Sequence, residues 1–148
     1  MYVLGLNEHQ VYKLRPEKYR RSASYLTGVW YSVEPSRDNG TFSAIDLATG
    51  RIAWLDTLPD PMVGGAMVTA GDVVFVGTKD QRLLAFDART GAKLWQYAAP
   101  AGVNAPPISY AVDGRQFIAV AAGGNFQINA KRGDALLVFA LPAGRPTP

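Results

Sequence analysis

The sequence predicts an all-β chain, organised as part of a β-propeller with about three four-stranded antiparallel blades. Two observations carry this reading. The pattern A-x-D-x-x-T-G-x-x-x-W is written twice, from Ala44 through Asp46, Thr49 and Gly50 to Trp54, and from Ala85 through Asp87, Thr90 and Gly91 to Trp95. The copies lie 41 positions apart, and a period near 40 built from β-forming residues is the spacing of one propeller blade. From residue 63 onward, short β-branched and aromatic runs also alternate with turn residues at regular intervals.

Each element follows in chain order. Residues 2–5 and 10–14 read as strands, and 41–45 with 52–55 supply the final pair of an incomplete first blade spanning 1–62. An insertion at about 15–40 interrupts that blade, with Pro16, Pro35 and Asp38-Asn39-Gly40 as breakers. A full blade covers 63–100, with strands at 65–69, 73–77, 83–86 and 93–97 and turns at 70–72, 79–81 and Thr90-Gly91. Closing strands fall within 101–142: 107–112, a turn at Asp113-Gly114, 116–121, a loop rich in Gly, Asn and charge, then 135–141. The tail at 143–148 reads as loose.

The repeated motif has a mechanical meaning. Asp46 and Asp87 can accept backbone N–H bonds across the turn. Gly50 and Gly91 supply the positive φ that a short hairpin loop commonly needs. Trp54 and Trp95 can each bury about 150–250 Å², more than a single blade covers. The small Ala44 and Ala85 leave room for a ring. The motif therefore predicts tryptophan docking of each blade on its neighbour. Closing a propeller takes at least about four blades of ~40 residues, and 148 residues hold about three. The chain is then part of a larger propeller, or several copies assemble to cover the open edges.

Composition narrows the function classes. Hydrophobic residues make up 48%, enough for a packed core rather than disorder. The apolar start at 1–6 lacks a basic lead and does not read as a signal peptide. The apolar run 135–141 falls far short of the roughly 20 residues of a membrane helix. With no Cys there are no disulfides, thiolate metal sites or Cys nucleophiles. His9 is the single His, so no His cluster or relay can come from this chain. Asp46, Asp72, Asp80, Asp87 and Asp113 are scattered among turns, without the spacing of a Ca²⁺ loop.

The net charge of +3 is local, because Lys13, Arg15, Lys18, Arg20 and Arg21 against Glu17 give +4. Tyr12 and Tyr19 sit among these charges, as a base-stacking surface would require. No basic stripe continues elsewhere, so the segment reads as a solvated insertion loop rather than a nucleic-acid site. Arg132-Gly133-Asp134 spells an adhesion tripeptide but leads straight into a strand and reads as a hairpin turn. The sequon Asn39-Gly40-Thr41 likewise has a turn explanation. No P-loop, nucleophile elbow or dinucleotide fingerprint is present.

With its docking motifs and the run from 64 to 142, the chain resembles the C-terminal part of the pyrroloquinoline quinone (PQQ)-dependent quinoprotein alcohol and glucose dehydrogenases, which are eight-bladed propellers. The stretches that carry the resemblance are 64–78, Ala105-Pro106-Pro107-Ile108-Ser109-Tyr110, Gly123-Gly124-Asn125 and Gly133-Asp134-Ala135-Leu136. The last two are more similar to the glucose and polyol branch than to methanol dehydrogenase. The resemblance implies roles for individual residues. Asn7, ending the strand 2–6, would hydrogen-bond the quinone. Gly64 and Gly65 would edge the same site, though Met62-Val63 stand where the family often carries a cofactor-facing Trp. Asn125 and Phe126 match a late loop of that site.

The resemblance further implies that the catalytic base and the Ca²⁺ ligands come from earlier blades, so no catalytic or metal-ligating residue is assigned here, and the isolated chain is expected to be inactive. The partners implied are the remaining blades or other copies of the chain, a small alcohol or sugar, and a quinone or cytochrome electron acceptor. The compartment implied is the periplasm. A non-enzymatic propeller serving as a protein-binding scaffold of the cell envelope accounts equally for the docking motifs, but not for the 64–78, 105–110 and 123–125 stretches together.

Overall fold

A computed structural model describes residues 1–142; the tail expected at 143–148 lies outside the described residues. The order is β1 (Tyr2–Asn7), β2 (Gln10–Leu14), β3 (Gly28–Ser32), β4 (Asn39–Ile45), β5 (Ile52–Leu58), β6 (Ala66–Val68), β7 (Val73–Gly77), β8 (Arg82–Asp87), β9 (Lys93–Ala98), β10 (Ile108–Val112), β11 (Arg115–Ala122) and β12 (Ala135–Phe139). One 3-10 turn, Pro35–Arg37, is the sole helical piece among the described residues. The chain is all-β, and its strands form antiparallel sheets β1-β4-β5, β6-β7-β8-β9 and β10-β11-β12, plus the two-stranded β2-β3. The three larger sheets are successive blades that do not close a ring. One has the four strands expected of a blade and the others have three.

The first sheet differs from the expectation in a definite way. β2 forms where a blade strand is expected but leaves the blade to pair with β3. The insertion therefore contains a strand, β3, and residues 15–27 form the largely exposed loop at the tip of the β2-β3 hairpin, as the basic run implies. The reason is local: Val11 sits opposite Tyr31 and Tyr12 opposite Trp30, and such aromatic and β-branched cross-strand pairs stabilise a ribbon. Asp38 fastens its base. It accepts from the His9 backbone N–H (2.9 Å) and the Ser32 hydroxyl (3.2 Å), and the His9 N–H foremost holds its carboxyl below the usual carboxylate range. The sequon is also corrected: Asn39, Gly40 and Thr41 open strand β4 rather than forming a turn. Gly40 is needed there because a β-carbon would collide with Asp60 O and Met62 Cγ (2.6 Å).

Strand β8 of the middle sheet is buried on both faces, which is why it reads Leu83-Leu84-Ala85-Phe86 without alternation, while β9 beside it is exposed throughout. One core joins Phe42, Leu58 and Met62 to Val74, Val76, Leu84 and Phe86. The other joins Leu83, Ala101 and Val103 to Val120 and Ala122. The turn and strand pairing of the docking motif are as the sequence implies in both copies, while Trp54 packs on the core and Trp95 remains 40% exposed. Ala44 faces Trp54 and Ala85 faces Trp95 across the strand pair, with a register shift at the same place in both copies. Gly50 and Gly91 have φ of 70° and 75°. The motif Thr, fixed but unexplained in the sequence, serves the turn: the Thr49 and Thr90 hydroxyls each donate to the motif Asp at 3.0 Å.

Asp87 Oδ1 also accepts from the backbone N–H groups of Thr90 (2.8 Å) and Arg89 (2.9 Å), and the Thr90 N–H foremost lowers its pKa. A carboxyl whose folded pKa is depressed contributes stability above its unfolded value of about 3.9, lost as pH falls through the lower folded value. Asp87→Ala is therefore expected to lower the thermal midpoint at neutral pH, with the gap to wild type narrowing below about pH 4. Melting curves across pH check this, and a gap that widens in acid would contradict it.

Candidate functional site

Sheet register places the predicted site segments at one end of their blades. Asn7 ends β1 opposite Asn39, which starts β4, and Gly40 faces Leu58 at the end of β5. Gly64 and Gly65 come just before β6, whose Ala66 pairs with Val76 near the end of β7. Asn125 and Phe126 follow β11, whose Ala122 pairs with Ala135 at the start of β12. Strand ends at this side of one sheet are tied to those of the next. The Met62 N–H donates to Gly5 O (3.3 Å), the Val103 N–H to Thr78 O (3.0 Å) and the Gly124 N–H to Gly102 O (2.9 Å). The Lys79–Asp60 ion pair (3.3 Å) adds a further tie.

Segment 102–106, unremarked as a connector in the sequence, links two of the three groups. A β-carbon on Gly65 would lie 2.7 Å from Pro106 Cβ, and one on Gly64 3.4 Å from Asn104 O. The Gly102 N–H donates to Lys131 O (2.9 Å) in the late loop. Asn104 Oδ1 is buried here without a hydrogen-bond partner, a position that calls for a donor from a bound group or water. Asn7 stands apart from this connection. Its side chain is exposed and its amide donates to Asn39 Oδ1 at 2.9 Å.

The late loop is rigidly built. Ala130 N–H donates to Asn125 O (2.9 Å), and Gln127 N–H to Asn125 Oδ1 (2.9 Å). With its carbonyl engaged in the turn, the Asn125 amide N–H₂ remains as donor. Gly124 has φ of 70°, and a β-carbon there would lie 2.7 Å from Lys131 C and 2.8 Å from Arg132 Cα. Gly123, Gly124, Asn125, Phe126, Gln127 and Arg132 line an open hollow. Phe126 is 71% exposed and carries the Arg132 guanidinium carbon 6.0 Å above its ring centre. Arg132 was read in the sequence as part of a hairpin tripeptide. Its place in the hollow depends on the Asn125–Ala130 bridge, which no local spacing announces.

The groups gathered here are hydrogen-bonding and aromatic ones. Asp38, Asp46 and Asp87, the carboxylates held below their ordinary range, each serve a turn or hairpin base. Among the described residues, no three His, Asp or Glu side chains come together as a metal-ion shell. The glycines at 64, 65 and 124 leave their β-carbon space to this chain's own segments 102–106 and 131–132, so the groups left for a ligand are side chains. Asn125, Asn7 and the unpaired Asn104 Oδ1 supply neutral hydrogen-bonding groups, and Phe126 an aromatic face. This set fits a planar, oxygen-rich cofactor.

The family described as PQQ: Glucose/ethanol/alcohol dehydrogenase, beta-propeller domain, matches residues 38–118. The solved quinohemoprotein alcohol dehydrogenase from Pseudomonas putida HK5 superposes with a TM-score of 0.81 at 26% identity, over 99% of this chain and 26% of that one. Quinoprotein glucose dehydrogenase A of Acinetobacter calcoaceticus is 37% identical over 122 residues, covering 70% of this chain and 15% of the relative. The 1-butanol dehydrogenase (cytochrome c) of Thauera butanivorans is 40% identical over 114 residues, 74% of this chain and 16% of the relative. The chain thus spans about a sixth of the curated relatives' length.

Proposed function

This chain belongs to the PQQ-type glucose/ethanol/alcohol dehydrogenase β-propeller family, and on that premise we propose that it walls one side of the quinone site in a PQQ-dependent dehydrogenase. The substrate is an alcohol, polyol or sugar. The observation that carries the reading is the meeting of Gly64-Gly65 and the 123–126 loop around segment 102–106 at one end of the blades, on a chain of this family. PQQ, when bound, supplies the two-electron acceptor for oxidising the substrate's CH–OH group. The residues of this chain bind and orient. The Asn7 and Asn125 amides are hydrogen-bond donors toward quinone oxygens, the glycines let segments 102–106 and 131–132 pack close beneath the site, and Phe126 shields one flank from water.

Calcium ligands and the proton-accepting base belong, in this reading, to the blades that complete the propeller. The enzyme works in the periplasm and delivers electrons to a quinone or cytochrome. The similarity to a relative named for cytochrome c supports the second alternative.

The test is reconstitution of the full-length apoenzyme with PQQ and Ca²⁺, followed by dye reduction with an alcohol or sugar. Asn7→Ala is expected to weaken PQQ binding by roughly 1–3 kcal/mol, the cost of losing a hydrogen bond that the bound cofactor would bury. Wild-type affinity in that variant would remove Asn7 from the site. Calcium-dependent dye reduction by residues 1–148 alone would overturn the assignment of base and metal to other blades.

A further inference from the structure

We propose that Arg132 reads a carboxylate of the bound molecule, its guanidinium forming the charged lip of the hollow that Gly123 to Gln127 floor. This deepens the quinone reading above and rests on it. Of the six residues lining the hollow, Arg132 alone is charged. The segment 123–133 carries Lys131 and Arg132 and no acidic residue. Among the described residues neither cation makes an ion pair, although Asp134 follows directly; the ion pairs found lie on other turns and on the β2-β3 hairpin.

The backbone around Arg132 is fixed. Gly133 N–H donates to Gly123 O (3.2 Å) and the Gly102 N–H to Lys131 O (2.9 Å). Arg132 Cα packs so closely on Gly124 that no β-carbon fits between them. The guanidinium then rests 6.0 Å over the Phe126 ring. At that distance the ring contact is a loose one; among the described residues the guanidinium makes no hydrogen bond or ion pair, so its N–H groups remain free for the two oxygens of a carboxylate. A neutral floor, a guanidinium with free N–H groups and no acidic residue in the loop together suit a negatively charged ligand.

Two sources offer that carboxylate: PQQ, which bears three, and an acidic substrate. The experiment uses the full-length apoenzyme, titrated with PQQ and separately with its trimethyl ester, followed by fluorescence quenching. Arg132→Gln is expected to weaken PQQ binding about tenfold or more, as for loss of a charge-assisted bond. Ester binding should be the same in wild type and variant. Arg132→Lys, which keeps the charge but not the fork, should fall between them, and it serves if the Gln variant folds poorly. If PQQ affinity holds but KM rises for a hydroxy acid and not for an uncharged alcohol, the carboxylate read is the substrate's, and the proposal stands. Equal weakening toward PQQ and its ester, or no change in either affinity or KM, overturns the assignment of Arg132. Wild-type apoenzyme that takes up no PQQ overturns the quinone reading itself.

Discussion

Trp54→Ala is expected to destabilise the full-length protein by roughly 3–5 kcal/mol, in the range for emptying a packed aromatic site. Trp54 is the element by which the first blade holds the second. Its ring meets Phe42 edge-on at 5.2 Å and stacks over Phe86 at 6.5 Å. The indole N–H donates to Ala88 O at 3.0 Å, an oxygen shared with the Tyr2 hydroxyl. The ring also lies against the Gly91 backbone, leaving 2.7 Å to a β-carbon there. Removing it opens a cavity and strips that carbonyl of one of its two donors. Trp95 occupies the equivalent motif position but is 40% exposed, with Tyr97 and Phe139 as its aromatic neighbours. Trp95→Ala is expected to cost clearly less. Denaturant unfolding of both variants of the full-length protein measures the difference. Equal losses would show that docking is not what distinguishes the two rings.

Gly124→Ala is expected to reduce PQQ affinity by about a hundredfold or more, roughly 2.7 kcal/mol, with little change in melting temperature. Two costs add at this position. An alanine at φ of 70° pays about 1–2 kcal/mol for the left-handed conformation. Its β-carbon would also press on the backbone of Lys131 and Arg132, which cannot yield as the end of a flexible side chain can. The loop must therefore leave its place, taking Asn125, Phe126 and Arg132 with it, while the core that joins Phe42 to Phe86 lies elsewhere. Gly50→Ala supplies the control. It has the same φ and no atom within 4 Å of the added carbon, so it carries the conformational cost without the collision and should leave PQQ affinity unchanged. Calorimetric titration of the full-length apoenzyme decides the matter. Undiminished affinity in Gly124→Ala would remove the late loop from the site.

The fold was legible because its determinants repeat. Ala, Asp, Thr, Gly and Trp recur at fixed offsets, and each does a local job in the turn or across one strand pair, so two copies sufficed to fix the blade unit. The turn at Asp113-Gly114, with φ of 50° and 76°, was readable for the same reason: both residues tolerate the left-handed region a two-residue hairpin needs. The β2-β3 hairpin was less legible. Gly28–Ser32 is a good strand by composition, but it lies between a basic run and Pro35, and its partner lies 14 or more positions upstream. Strand pairing is a choice among partners, and the sequence of β2 suits a blade as well as a hairpin.

By itself the sequence determined the all-β class, the blade period, the turn chemistry of both docking motifs and the family. The turn chemistry depends on residue types within about a dozen positions of one another, where backbone geometry leaves few alternatives, and the period and the family follow from such local patterns recurring along the chain. Tertiary structure alone decided that Trp54 is docked while Trp95 stays half-open, that β2 leaves the first blade, and that segment 102–106 joins Gly64-Gly65 to the 123–126 loop. It also placed Arg132 over Phe126. Each of these depends on contacts between segments far apart in the chain, set by how the sheets stack and by where a β-carbon has no room, and local spacing carries no record of either.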